Sequence, residues 1–418
     1  MVEAPVPTAQ SARCGIDTVD VARIERLLRE TPPDDLLKLY SEEELRESGE
    51  GSGRAASLAA RFAAKEACLK LFPRETTLNL ITAMDFAITR DAYGAPRVTC
   101  SPAAEAVLGR HRIESISLSM THDRTRASAV ALAEPATTEV PLSGRLLFTL
   151  VPVRRRVVLE NLRRVFGATV ADAEVRRIAQ AHYAHLWHLV REFIAFSWLS
   201  SGQRAARARV ENLEAIVAAH AQGKGVILLT GHFGNWEVST AAGIENFPEA
   251  RGRFYFVRRP FKPQWLDAMI IRRFRQAGFG VLPKSGSLDA ILERLAAGDI
   301  VVFPFDQHAG PRDGVRVDFF GHPAGTFRSV ALIAQASGAP VLPASSWRDR
   351  DGRHVLRFEA PIALVEREDV GEEIRANTRL FNASLERIIL RHPEQWWWVH
   401  RRWKEWPARK PRGARRRG

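Results

Sequence analysis

The chain has 418 residues, 45% hydrophobic and 26% charged, which suits two globular domains better than one core or a disordered polymer. Its three cysteines, Cys14, Cys68 and Cys100, lack metal-ligand spacing and argue against a disulfide framework, so a reducing cytoplasm is the expected compartment. A formal charge of +13 requires anionic partners, although composition does not choose among nucleic acid, anionic headgroups, acidic proteins and phosphorylated ligands.

The start, MVEAPVPTAQSAR, lacks the basic and apolar regions of a signal peptide, and no stretch reaches the roughly 18 apolar residues of a membrane-spanning helix. An apolar strand is expected at Arg13 to Val21, followed by the helix DVARIERLLRE and a helical run from Arg54 to Leu71. MDFAITRD and RVTC read as a hairpin around AYGAP, and ISLSM and ASAVALA as two further strands.

Asp17 ends the first strand, where a buried carboxylate is costly unless paired or metal-bound. In RFAAKEACLK, Arg61 shares a helical face with Lys65, and Glu66 with Lys70, because each pair is four residues apart. Carboxylates beside cations suit Mg²⁺ held against substrate phosphates, and they equally suit a solvated helix with ordinary ion pairs. GIDTVDVARIE, LAARFAAKEACLK and SLSMTHDRTRASAVAL together resemble the holo-acyl-carrier-protein synthase family of 4'-phosphopantetheinyl transferases, over residues 13 to 133. The resemblance implies Mg²⁺ on Asp17 and Glu66, with Lys70 near the phosphates or the attacking serine. It further implies that Arg61 and Lys65 assist coenzyme A binding, that His122 contacts its phosphates, and that the site forms in a homo-oligomer, a trimer. LFPRETTLNL stands where that family has a Gly-containing loop, and Thr-His replaces its Ser-His. An alternative in which this domain only docks the carrier protein therefore stays open.

EPATTEVP is Pro- and Thr-rich without periodicity and reads as a linker. A helical region follows to about Ala219, and residues 143 to 166 read either as an interfacial helix, apolar on one face and Arg-rich on the other, or as a core helix. From Gly225, GVILLTGH, RFYFVRRP, FGVLPK, DIVVFPFDQH and APVLPASS alternate with helices, the pattern of a mostly parallel sheet covered on both faces. In such sheets ligands bind beyond the carboxyl ends of the strands, where this chain places His232, Arg258, Arg259, Asp306, Gln307, Ser345 and Ser346.

His232 and Glu237 are five apart, about 140° around a continuous helix, so they meet only if His232 lies in a loop and Glu237 in the following helix. A carboxylate on one imidazole nitrogen raises the basicity of the other, which can then deprotonate an alcohol. The spacing is not HExxH, and a zinc site is not indicated. VVLENLRRVFG, TGHFGNWE, VRRPFKPQWLDAMIIRRFRQAGFGVLPK, DIVVFPFDQHAGPRDGVRVDFFGHPAGTF and PEQWWWVHRRWK resemble the late acyltransferases of lipid A biosynthesis, lauroyl/myristoyl type. That likeness implies His232 as general base and Glu237 as its partner, with no cofactor. It also implies that Arg258 and Arg273 bind acceptor or donor phosphate and that Asp306 and Gln307 shape the pocket. The Trp cluster WWWVHRRWKEW reads either as core or as an interface belt.

The expected fold class is therefore two domains. Residues 13–134 form an α+β, phosphopantetheinyl transferase-like unit and 135–142 a linker. Residues 143–407 form an α/β acyltransferase with a mostly parallel sheet and an N-terminal helical region, and 408–418 a basic disordered tail. The expected function is bifunctional: transfer of phosphopantetheine from coenzyme A to a carrier-protein serine, and transfer of an acyl chain from that carrier to a lipid or glycolipid hydroxyl. The expected partners are acyl carrier protein and a lipid at the cytoplasmic face of the inner membrane, with peripheral association. Nucleic acid is not among them, because no recognised binding pattern accompanies the basic tail.

Overall fold

The computed structural model of the protein describes all residues except 1–12, 196–197, 261, 277, 285 and 407–418, and all of their side chains except those at 76, 201, 236, 237, 240, 250 and 266. The expected basic tail lies outside the described residues. The chain divides into two compact units, one running to Glu139 and including Arg163–Arg177, the other comprising Val140–Leu162 and everything from Ile178. The return of Arg163–Arg177 to the first unit was not foreseen in the sequence.

The first unit is α+β. Its strands are β1 (Arg13–Asp20), β2 (Phe86–Arg90), β3 (Pro96–Cys100), β4 (Ile113–His122) and β5 (Arg126–Pro135). An antiparallel sheet has the order β1-β5-β4, and β2-β3 is a separate hairpin. Ala127, Ala129, Ala131 and Ala133 alternate inward along β5, as the two-residue strand period requires. These small side chains leave room for the Ala-rich helix Arg54–Leu69, whose Leu58, Ala59, Ala63 and Ala67 are fully buried. Gly15 makes the closest approach: a Cβ there would lie 2.0 Å from the Ala67 carbonyl oxygen. Strand β1 therefore lies directly on the helix that carries Glu66 and Lys70.

The second unit is α/β. Its strands are β6 (Ala208–Glu211), β7 (Val226–Thr230), β8 (Phe254–Arg258), β9 (Phe279–Pro283), β10 (Ile300–Pro304), β11 (Gly314–Phe319), β12 (His322–Phe327), β13 (Val341–Arg348) and β14 (His354–Phe358). Seven of them form one sheet, β6-β14-β13-β7-β10-β8-β9, in which only the β13–β14 pairing is antiparallel. Strands β7 and β10 lie at its centre, and Val226–Leu229 and Ile300–Phe303 are buried throughout, as expected of a sheet covered on both faces. Strands β11 and β12 form a separate hairpin.

Residues 143–166 are not one helix. They divide into Leu142–Leu150 and Arg155–Phe166, and Val157, Val158, Leu162, Val165 and Phe166 of the second segment are buried. Among the described residues no helix is long and apolar enough to cross a membrane.

Candidate active sites

In the first unit, the approach at Gly15 brings the end of β1 to the exposed edge of the Arg54–Leu69 helix. Lys70 Nζ donates to Asp17 Oδ1 at 2.7 Å and to the Ile16 carbonyl at 3.0 Å. Glu66 is half-buried one turn before Lys70 on the same face. Carboxylates are the hard donor type that Mg²⁺ takes alongside substrate phosphates. Among the described residues there is no group of three or more His, Cys, Asp or Glu arranged to hold a metal, so the remaining ligands would have to come from substrate and water. His122 is exposed at the end of β4, paired in register with Ala127.

Arg61 and Lys65 are corrected by the structure. Arg61 is 2% exposed and is spent on Glu47 at 2.7 Å, Ser57 and the Ile88 carbonyl. Lys65 is 1% exposed, paired with fully buried Glu44 at 2.7 Å and bonded to the Leu39 carbonyl. A cation buried this deeply must have its partners inside the protein, and both have them. Both side chains are spent on partners inside the first unit rather than presented at its surface. The helix turns Glu66 and Lys70 outward and Arg61 and Lys65 inward.

In the second unit, the site forms because β7 and β10 are neighbours with Thr230 opposite Pro304. His232 and Asp306 each follow two residues later. His232 Nδ1 and Asp306 Oδ1 are 2.8 Å apart, and Asp306 Oδ2 accepts from the His232 amide and from Trp396 Nε1, both at 2.8 Å. Asp306 is buried, which alone would raise its carboxyl pKa; the charge of His232 and its hydrogen bonds, with that of Trp396, instead hold it below the usual carboxylate range. Burial likewise pushes His232 down, but the carboxylate of Asp306 outweighs it and leaves the imidazole above its ordinary value. Gln307 Nε2 lies 3.4 Å from His232 Nε2. With Nδ1–H donated to Asp306, Nε2 is left as an acceptor, the tautomer a general base needs.

His232 lies in a loop and the helix Trp236–Asn246 begins just after it, as the spacing required. The side chain of Glu237, in that helix, lies outside the described residues. The carboxylate seen on His232 Nδ1 is that of Asp306. Gly234 makes the loop possible, with φ +49° and a Cβ position 2.5 Å from the Ser346 carbonyl oxygen. The loop is tied down on two sides. Ser346 Oγ donates to the Phe233 carbonyl, and the Trp397 amide donates to the His232 carbonyl at 3.1 Å.

Arg258, at the end of β8, pairs with Asp267. Arg273 packs on the Asp172–Ala195 helix, its guanidinium 4.3 Å from the Phe193 ring centroid and bonded to the Phe193 carbonyl. Several residues of the site were not read from the sequence. Lys284, just beyond β9, has its pKa lowered to about 8, first by burial and then by Arg259, and its charge reaches both His232 and Asp306. Glu192 accepts from Asn235 of the His232 loop at 2.7 Å and pairs with Arg348 and His354. Trp396 and Trp398 are buried in the core, and Trp397, Trp403 and Trp406 are half-buried. Asn161 Nδ2 holds that segment through the Trp398 and His400 carbonyls. None of these carries a local signal beyond its place in a longer matching block.

Residues 136–405 match the family described as bacterial lipid A biosynthesis acyltransferase, and residues 13–131 match the 4'-phosphopantetheinyl transferase superfamily. The chain is 28% identical over 198 residues to the phosphatidylinositol mannoside acyltransferase of Mycolicibacterium smegmatis, covering 46% of this chain and 62% of that protein, just under two thirds of its length. It is 26% identical over 272 residues to the lipid A biosynthesis lauroyltransferase of Escherichia coli, covering 64% of this chain and 85% of that one. Its first part is 38% identical over 121 residues to the holo-[acyl-carrier-protein] synthase of Treponema denticola, covering 29% of this chain and 95% of that protein. The chain belongs to the bacterial lipid A biosynthesis acyltransferase family, fused to a member of the 4'-phosphopantetheinyl transferase superfamily.

Proposed function

We propose that the second unit transfers an acyl chain from an acyl-carrier thioester to a hydroxyl of a lipid or glycolipid. The observation that carries this reading is the His232–Asp306 pair, 2.8 Å apart at the carboxyl ends of the central strands. Nε2 removes the proton of the acceptor hydroxyl as its oxygen attacks the thioester carbonyl. The tetrahedral adduct then expels the carrier thiolate, which takes the proton back from Nε2 and leaves as a thiol, and an ester has replaced the thioester. Asp306 stays ionised throughout and stabilises the imidazolium that forms in between. Lys284 places a positive charge near this pair and suits an anionic group of donor or acceptor. The relatives' names, phosphatidylinositol mannoside acyltransferase and lipid A biosynthesis lauroyltransferase, both refer to glycolipids.

The first unit, in this proposal, charges the carrier protein. Asp17 and Glu66 would hold Mg²⁺, which when bound neutralises the coenzyme A diphosphate. Lys70 supplies a second positive charge at the same edge, and catalysis is by positioning and charge neutralisation. A carrier has no thiol until phosphopantetheine is attached, so this reaction makes the donor that the second unit needs. We place the chain peripherally at the cytoplasmic face of the inner membrane, as a homo-oligomer.

Incubation of the full chain with apo carrier protein, coenzyme A and Mg²⁺ should add the phosphopantetheine mass to the carrier. An intact protein that produces no mass shift leaves the first unit as a docking module. His232→Ala should abolish acyl transfer and leave the carrier reaction unchanged.

A further inference from the structure

The long helix Asp172–Ala195 carries an apolar stripe that is only half covered. Within the second unit, the helix Leu142–Leu150 crosses it at Gln180–Ala184. A Cβ on Gly144 would lie 2.4 Å from the Gln180 carbonyl oxygen, the Phe148 and Tyr183 rings are 5.5 Å apart, and Tyr183 Oη donates to the Val153 carbonyl. At about 100° per residue, Tyr183, Trp187, Val190 and Ile194 fall within about 60° of one another, so the stripe continues beyond the crossing helix. There it is bare: Trp187 is 43% exposed, Val190 50% and Ile194 55%. Leu146, Leu150 and Val153, on the crossing helix and just after it, add to it at 50%, 72% and 57% exposure. An apolar patch of this extent has a partner.

We infer that this stripe docks the second unit on an anionic lipid surface. Charge favours this occupant. From Leu142 to Arg156 every charged residue is an arginine: Arg145, Arg154, Arg155 and Arg156. Arg191 is exposed beside Val190. Apolar side chains rimmed by arginine match acyl chains beneath anionic headgroups. A two-fold contact with a second copy would set the same arginines against themselves.

The inference deepens the acyl-transfer reading and rests on it for its purpose. Glu192 lies about 180° around the helix from Tyr183 and holds Asn235, three residues after His232. One helix thus turns its outer face to the lipid and its inner face to the catalytic loop, and a membrane-borne hydroxyl is presented beside the base that deprotonates it.

The test is co-sedimentation of the full chain with vesicles of phosphatidylcholine alone or mixed with phosphatidylglycerol. The protein should pellet with the mixed vesicles and be released by salt. Val190→Asp with Ile194→Asp, both at exposed positions, should weaken partitioning at least about tenfold. The same variant should keep wild-type acyl transfer to a detergent-dispersed glycolipid, which shows that it is folded. Arg145→Ser should weaken binding to the mixed vesicles without affecting that activity. Equal pelleting of variant and wild type overturns the inference, as does equal binding to both vesicle types. A dimer that the double substitution dissociates, without vesicle binding, assigns the stripe to a second copy and also overturns it. If wild type binds vesicles but transfers no acyl chain in detergent, the surface stands and the functional reading fails.

Discussion

Asp306→Asn separates the chemistry of the second unit from its architecture. Oδ2 of Asp306 accepts from two donors, the His232 amide and Trp396 Nε1, whereas Oδ1 meets only the His232 ring. An asparagine keeps its carbonyl oxygen where the two donors are, so its NH₂ faces Nδ1. Nδ1 must then accept, the ring proton moves to Nε2, and the base loses its lone pair toward substrate. Positioned general-base catalysis contributes about 10²–10⁴-fold, so acyl transfer should fall by that factor, roughly 3–5 kcal/mol in the barrier.

The pH profile gives a second reading of the same change. A general base acts in its neutral form, so the rate rises as pH passes upward through its pKa. In the wild type that limb lies above the ordinary 6.5, because Asp306 outweighs burial. In the variant burial remains and the carboxylate is gone, so the limb moves to lower pH while the plateau drops. The assay is acyl transfer from a labelled acyl-carrier thioester, with carrier modification by the first unit as an internal control for folding. Activity within a few-fold of wild type, combined with a hundredfold loss in Glu237→Gln, would assign the orienting carboxylate to Glu237 and refute the argument.

Asp17→Asn and Glu66→Gln should each lower phosphopantetheine transfer by roughly a hundredfold or more while leaving acyl transfer from a preloaded carrier unchanged; mass spectrometry of the carrier decides it. Lys65→Met strands the buried Glu44 carboxylate and should destabilise the first unit by about 3–5 kcal/mol in chemical denaturation, and a loss under 1 kcal/mol would mean that the pair contributes little. Gly234→Ala forces a side chain into a left-handed conformation against the Ser346 carbonyl, costing about 1–3 kcal/mol, and should lower thermal stability and acyl transfer together.

The strands of the central sheet were legible because continuous apolar runs between helices have few alternatives, and with them the carboxyl-end positions of His232 and Asp306. Their partnership was not legible. The two residues are 74 apart, and they meet because β10 lies beside β7 while β8 and β9 lie farther out, an order that no local pattern encodes. The nearer carboxylate, Glu237, was the candidate that the family resemblance implied. Strand β6 escaped notice because Ala208–Glu211 has no apolar run, and β14 because His354 and Arg357 interrupt its apolar residues. In the first unit, the spacing of RFAAKEACLK placed Arg61 with Lys65 and Glu66 with Lys70. Spacing does not say which pair faces the core; buried Glu44 and half-buried Glu47, on a different helix, settle that.

Trp396 shows how burial and catalysis divide at Asp306. Three donors from two segments converge on this carboxylate, the His232 amide and ring and the Trp396 indole, and an unpaired buried carboxylate would tend to protonate and cease to raise the basicity of His232. Whether the indole is needed for the charge is a matter of magnitude. A hydrogen bond to a charged group contributes about 1.5–3 kcal/mol, or roughly one to two pKa units at 1.36 kcal/mol each. Asp306 starts below 3.8, so even the full loss leaves it ionised near neutrality. Trp396→Phe should therefore keep acyl transfer within about tenfold of wild type, with the pH limb little moved, while the melting temperature of the second unit falls. A loss as large as that of Asp306→Asn would show that the indole fixes the position of the carboxylate as well as its charge, and that the ring tautomer of His232 depends on both.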